Sequence, residues 1–287
     1  MPAFLRRHRW AIPYLLLIPG GLWLIFFFLL PMLTMASVSV QEGTLSQGYR
    51  LTFNFGIFPE VLAKNSTQFI RSLEYGLIVT ALTLAIGYPM AYTIAFRGGR
   101  YKNILLLLVI LPFFTSFIIR TISWKFLLAD QGIVLGTLKS WGLLDEGFHL
   151  LATPAAVISG ITYNFLPFVV LPLYVALEKI DHRLVEAATD LYASRWQAFR
   201  RVTLPLSLPG VFAASLLCFI PAVGDFINAD LLGSRETTMI GNVIQFRFLQ
   251  SNDYPEAAAL SLILMVAILF GVAVYARVLG GEELTGG

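Results

Sequence analysis

The chain has 287 residues, of which 57 % are hydrophobic and only 13 % charged, with a mean hydropathy of +0.76. Soluble domains carry about a quarter charged residues, so this composition places the chain in a membrane and excludes an ordinary water-soluble enzyme. A net charge of +3 and a pI near 9.0 do not point to nucleic acid, because the cations are not gathered on any soluble segment large enough to use them.

A helix needs about 20 mainly apolar residues to cross a bilayer. Windows of that length fall at 13–38, 69–96, 104–128, 154–177, 206–231 and 257–279, which predicts six spans. The first follows Arg6, Arg7, His8 and Arg9; it is too long for a signal peptide and lacks a small-x-small cleavage site, so it reads as an uncleaved anchor. Pro19 and Pro31 are expected to kink it, which membrane helices tolerate. The triplet Asn65-Ser66-Thr67 fits N-glycosylation by chance. The third span carries Arg120. The fourth carries a polar island, Tyr163-Asn164, between Pro154 and Pro167. Asn164 either hydrogen-bonds a neighbouring helix or lines a path. Tyr163 either fills the gap beside a proline or holds a cation against its ring, worth about 0.5–2 kcal/mol.

Between the fourth and fifth spans lies the best-structured polar segment. Read as one helix, it puts Arg183, Glu186, Asp190, Gln197 and Arg201 on one stripe and Leu184, Ala188, Leu191, Trp196 and Phe199 opposite, with Arg195 out of place. Such a helix lies on the bilayer surface and offers its charged side to a soluble partner, or is merely interfacial. The fifth span contains Asp225, which on a helical wheel shares a small face with Ala214, Cys218, Pro221, Ala222 and Ala229, opposite Leu216, Phe219, Ile220, Val223, Phe226 and Ile227. A carboxylate at the centre of a spanning helix costs about 2.5–3.5 kcal/mol, so it faces protein or a watery path unless it sits near the outer interface; a small-residue stripe also suits close helix packing. Arg120 either neutralises Asp225 or turns outward and leaves the acid free.

Lysine and arginine placement orients the spans. With the amino terminus inside, twelve fall in cytoplasmic segments and six outside. That puts the 178–205 loop in the cytoplasm. The outer segments, 41–68, 129–153 and 232–256, are either ordinary connections or a docking face.

Chemistry is otherwise sparse. No G-x-x-x-x-G-K-[ST] loop occurs; Gly98-Gly99-Arg100-Tyr101-Lys102 has neither the spacing nor the hydroxyl, so ATP chemistry must come from another chain. There is no G-x-S-x-G elbow. The single cysteine, Cys218, excludes an intrachain disulfide, and His8, His149 and His182 form no zinc-type set.

Glu186-Ala187-Ala188, a sixth position that is usually Gly, and then Val202-Thr203-Leu204-Pro205 resembles the coupling loop of bacterial ABC importer permeases. Thr162-Tyr163-Asn164-Phe165-Leu166-Pro167-Phe168, the run from Phe219 to Phe226, Met239-Ile240-Gly241-Asn242 and Pro255-Glu256-Ala257-Ala258-Ala259 are similar to the spermidine/putrescine branch. The resemblance covers nearly the whole chain and departs at Tyr192, which stands at the usual glycine. It implies an all-α polytopic membrane protein with six transmembrane helices in the type I ABC importer permease fold, one domain over 1–287. The implied ATPase-coupling residues are Glu186, Ala187, Ala188, Asp190, Leu191, Tyr192, Arg195, Leu204 and Pro205; those of the substrate pathway are Asp225, Tyr163, Asn164 and Arg120. The implied partners are a second permease subunit, two copies of an ABC ATPase that bind ATP and Mg, an extracytoplasmic polyamine-binding protein and membrane lipid, with no nucleic acid and no cofactor in this chain. The implied location is the bacterial cytoplasmic (inner) membrane, multi-pass. A permease for another small solute and a non-transport scaffold are the alternatives.

Overall fold

A computed structural model describes residues 11–279. The Arg6, Arg7 and Arg9 cluster lies outside these residues. Helix α1 (Ala11–Leu24) runs through a π-turn (Ile25–Leu29) into α2 (Leu30–Ser39), followed by a hairpin of β1 (Gln41–Thr44) and β2 (Gly48–Leu51). Then come α3 (Ile57–Lys64), α4 (Ser66–Arg97), α5 (Lys102–Ile110), α6 (Phe117–Leu128), α7 (Ile133–Ser140) and α8 (Pro154–Glu178). The remainder is α9 (His182–Asp190), α10 (Arg195–Ala198), a π-turn (Phe199–Thr203), α11 (Leu204–Val223), α12 (Ile227–Leu232), α13 (Ile240–Leu249) and α14 (Tyr254–Leu279).

Among the described residues five helices are long and apolar enough to span, Leu15–Ser39, Ser66–Arg97, Pro154–Glu178, Arg195–Val223 and Tyr254–Arg277. A sixth span exists only as a broken pair, Gly99–Phe114 and Phe117–Ser140, bent by 96°. The continuous third helix expected over 104–128 is therefore interrupted. Pro112 enters a 3₁₀ turn (Leu111–Phe114), and Thr115 and Ser116 take extended backbone, with Thr115 Oγ1 donating back to Pro112 O at 2.7 Å. A hydropathy window averages across such a break because Leu, Phe and Ile flank it on both sides.

Both π-turns end one residue before a Leu-Pro pair, Leu30-Pro31 and Leu204-Pro205. Proline offers no N–H to the helical ladder and its ring crowds the preceding turn. The backbone answers with a wider i→i+5 turn, closed by Leu30 N to Ile25 O and Leu204 N to Phe199 O.

The chain divides into two compact units, Met1–Lys64 with Ile244–Ala267, and Asn65–Val243 with Ile268–Gly287. In the first, Glu256 is buried and bridges Arg247 Nε at 3.2 Å and Lys64 Nζ at 3.5 Å, while the Tyr49 hydroxyl donates to Asn252 O. In the second, α4, α8 and α11 pack as a three-helix core whose fully buried side chains include Val79, Val157, Ile161, Val169 and Leu173. Lipid is as apolar as leucine, so close packing rather than escape from water holds such helices together. Gly210 provides it: a Cβ there would lie 2.3 Å from Ala176 Cβ on α8. Cys218 is buried in this core with Sγ 3.7 Å from Thr83 Oγ1.

The Met239-Ile240-Gly241-Asn242 run acquires a structural reason. Asn242 accepts from Met239 N at 3.1 Å and donates to Phe226 O at 2.9 Å, and Ile240 N donates to Ser72 Oγ at 2.8 Å. Gly241 admits the Gly224 carbonyl, which would stand 2.5 Å from any Cβ. The start of α13 is thereby tied to the break that ends α11.

Candidate functional site

The segment between α8 and α11 is not one helix. Asp181 caps α9, accepting from Arg183 N at 2.9 Å, and α9 stops at Asp190. Tyr192 then turns the chain with φ +62°, and Ser194 and Gln197 form a capping box that starts α10. The charged stripe expected through 201 therefore holds for Arg183, Glu186 and Asp190 but is broken before Gln197 and Arg201. Tyr192 adopts the left-handed turn that glycine makes easily, and its side chain is 98 % exposed beside Leu191 at 82 %. Glu186, Ala187, Asp190 and Arg195 are exposed, and Ala188 is half-buried. Leu204 and Pro205 lie at the π-turn into α11, where Leu204 is half-buried and Pro205 exposed.

Phe199 anchors the segment. Its ring meets Tyr88 and Tyr92 of α4 edge-on at 5.8 and 5.9 Å and stacks with Trp196 at 5.4 Å. Phe96, also on α4, meets His182 at 4.8 Å. Tyr88 further hydrogen-bonds Ser207 at 2.7 Å. The segment thus touches α4 through aromatic rings and joins α11 through the chain.

The second candidate is a buried polar cluster. Asn164 of α8 donates to Thr121 Oγ1 and to Asn228 Oδ1, both at 3.1 Å, and Thr121 Oγ1 lies 3.2 Å from Asn228 Oδ1. Asn228 donates from Nδ2 to Asp225 Oδ2 at 2.9 Å and from its backbone N to Asp225 Oδ1 at 2.8 Å. Asn164, Thr121 and Asn228 are fully buried, and Asp225 is 7 % exposed. The Asn164 Oδ1 atom has no hydrogen-bond partner. Among the described residues no lysine or arginine forms an ion pair with the Asp225 carboxylate.

Two expectations are corrected by this geometry. The fifth span ends at Val223, so Asp225 sits in the break before α12 and not on the small face of a continuous helix. An aspartate bonding the N–H three residues ahead favours a helix start over a helix interior. Arg120 is neither the counter-ion of Asp225 nor turned outward. It is 8 % exposed, its guanidinium stands 5.4 Å from the Phe113 ring and 5.6 Å from Phe117, and its Nε is unpaired. Tyr163 stacks face-to-face on Trp124 at 5.0 Å, and with Arg120 and Thr93 it lines a mainly apolar cavity of about 520 Å³ between α4, α5 and α8. The four residues expected on the pathway thus fall into two places: Asn164 with Asp225, and Tyr163 with Arg120. Thr121 and Asn228 escape a sequence reading because each lies in an apolar run; the signal that could have found Asn228 is the capping spacing from Asp225.

Residues 83–279 match the family described as binding-protein-dependent transport system inner membrane component. The chain is 40 % identical to the spermidine/putrescine transport system permease protein PotB of Haemophilus influenzae, over 89 % of this chain and 90 % of that one. It is 36 % identical to the protein of the same name from Escherichia coli, over 89 % and 93 %. In fold it is similar to a bacterial ABC transporter involved in the import of the acidic polysaccharide alginate, with a TM-score of 0.72 at 23 % identity over 98 % of each chain. By these matches and its membrane-helical architecture, the chain belongs to the binding-protein-dependent transport system inner membrane components, the permease subunits of ABC importers.

Proposed function

We propose that this chain is one half of the translocation pathway of an ATP-driven polyamine importer, coupled to its ATPase through the 178–205 loop. The observation that carries the coupling reading is the exposed tip of that loop. Leu191 and Tyr192 project from a helix-turn-helix that is fixed to α4 by Phe199. Large apolar side chains held outward on a rigid base suit a protein partner. Identity to two permeases named for spermidine and putrescine supports the substrate class.

In this reading the amino terminus is cytoplasmic. A second permease subunit, two ATPase copies carrying ATP and Mg, and an extracytoplasmic binding protein complete the importer, and this chain binds no cofactor. Closure of the ATPases moves α9 and α10 as a lever, and the core helices rock to open the path to each side in turn. Asp225 lends the path an unneutralised negative charge matched to a polycation, and Asn164 lends an unused acceptor to an ammonium N–H. The arginine in the neighbouring cavity repels the same cation, so Arg120 acts as a barrier and not as a seat.

The test is reconstitution of the four components in vesicles. The reading expects ATP-dependent uptake of labelled spermidine or putrescine that requires the binding protein. Uptake of some other solute, with neither polyamine transported, would replace the substrate assignment.

A further inference from the structure

At the root of α11 the side chains of Trp196, Gln197, Arg200 and Arg201 bound a pocket of about 430 Å³. Both arginines are exposed, and neither has an ion-pair partner among the described residues. Two guanidinium groups without an ion-pair partner among the described residues, an indole and an amide line it, residue types that supply donors to phosphate oxygens.

The depth of this pocket identifies its occupant. Phe199 lies level with Tyr88 and Tyr92, which stand nine and five residues before Arg97 on α4. At 1.5 Å per residue these rings are about 13 and about 7 Å inward from Arg97. Arg97, Arg100 and Lys102 mark the cytoplasmic edge of the helices. The Trp196–Arg201 pocket is therefore at the membrane interface, where tryptophan and arginine meet headgroups, while the Leu191–Tyr192 tip is the part that projects. Past the arginines, the exposed side chains of Leu206 and Leu208 give an acyl chain an apolar track.

We propose that Trp196, Gln197, Arg200 and Arg201 form a binding site for the phosphodiester of an anionic phospholipid of the cytoplasmic leaflet. Trp196 stacks on Phe199, and Phe199 meets the tyrosines of α4 edge-on, so a seated headgroup stiffens the joint through which the coupling segment acts. The site rests on the cytoplasmic placement of the loop and is independent of the transported solute.

The assembled transporter, reconstituted in phosphatidylcholine with or without phosphatidylglycerol, is released and its bound lipid measured by native mass spectrometry. Wild type is expected to retain phosphatidylglycerol in preference to phosphatidylcholine. Arg200→Gln with Arg201→Gln should weaken that retention about 25-fold, at about fivefold for each interfacial charge removed, whereas Arg200→Lys with Arg201→Lys should keep most of it. Equal retention by wild type and the glutamine variant, or no preference in wild type, would overturn the site. So would displacement of the lipid by inorganic phosphate, or a glutamine variant that loses the ATPase while keeping its lipid. Should the glutamine variant fail to reach the membrane, the wild-type preference still decides. Loss of coupling in a Glu186 variant with lipid retention intact would leave this site standing.

Discussion

Tyr192 holds φ +62°, a left-handed backbone that costs an L-residue about 1–2 kcal/mol. Glycine would relieve that strain but lose more chain entropy on folding, about 0.5–1 kcal/mol. Tyr192→Gly is therefore expected to fold and to leave the thermal unfolding midpoint unchanged or slightly raised, measured on the purified complex; a clear fall would mean the side chain supports the turn. Asp225 presents the opposite case, a side chain whose bonds define the backbone around it. Both of its oxygens accept from Asn228, and an asparagine there could accept only one of those two bonds. Asp225→Asn should lower polyamine uptake about tenfold, equivalent to about 1.4 kcal/mol of lost charge interaction, while assembly with the ATPase persists. Asp225→Glu should retain part of the activity. Wild-type uptake by Asp225→Asn would reduce Asp225 to a helix-start residue.

At the scale of elements, the proposed function turns on the joint between the 178–205 segment and the core helices. Phe199 contacts α4, and the Leu204-Pro205 pair sets the π-turn through which α10 enters α11. Phe199→Ala should leave basal ATP hydrolysis in place and lower the uptake obtained per ATP. A double-mutant cycle with Tyr92→Ala should show about 0.5–1.5 kcal/mol of coupling in stability; an additive cycle would place the transmission elsewhere. Gly210→Ala would force a Cβ against Ala176 and cost about 1–3 kcal/mol in stability, read as a lower unfolding midpoint. The positions of the spans were legible because a bilayer demands about 20 apolar residues and the sequence supplies them in runs. The breaks at Thr115–Ser116 and Gly224–Phe226 were not, since apolar residues flank both and local capping decides them. The hairpin at 41–51 was missed for a related reason: it is short, polar and set by the turn at Gly48. Asn164 and Asp225 were legible as polar residues in apolar surroundings. Their link through Asn228, and the separation of Arg120 from Asp225, depend on which way each helix turns its side chains after a break, and periodicity stops at a break.

For the whole molecule, the proposed function makes this chain a transmitter, with ATP hydrolysed by a partner subunit. In that proposal energy enters at the exposed 178–205 loop and moves helices around the buried polar cluster that contains Asp225. Glu186 is exposed on α9 without an ion-pair partner among the described residues, so a charge reversal there breaks no ion pair among them and, under the proposed function, alters the face offered to the ATPase. The most direct measurement is ATP hydrolysis by the reconstituted importer, with and without polyamine-loaded binding protein, for wild type and Glu186→Lys. Wild type is predicted to be stimulated by the loaded binding protein, and Glu186→Lys to insert normally yet lose that stimulation. Full stimulation in Glu186→Lys, or none in wild type, would contradict the account.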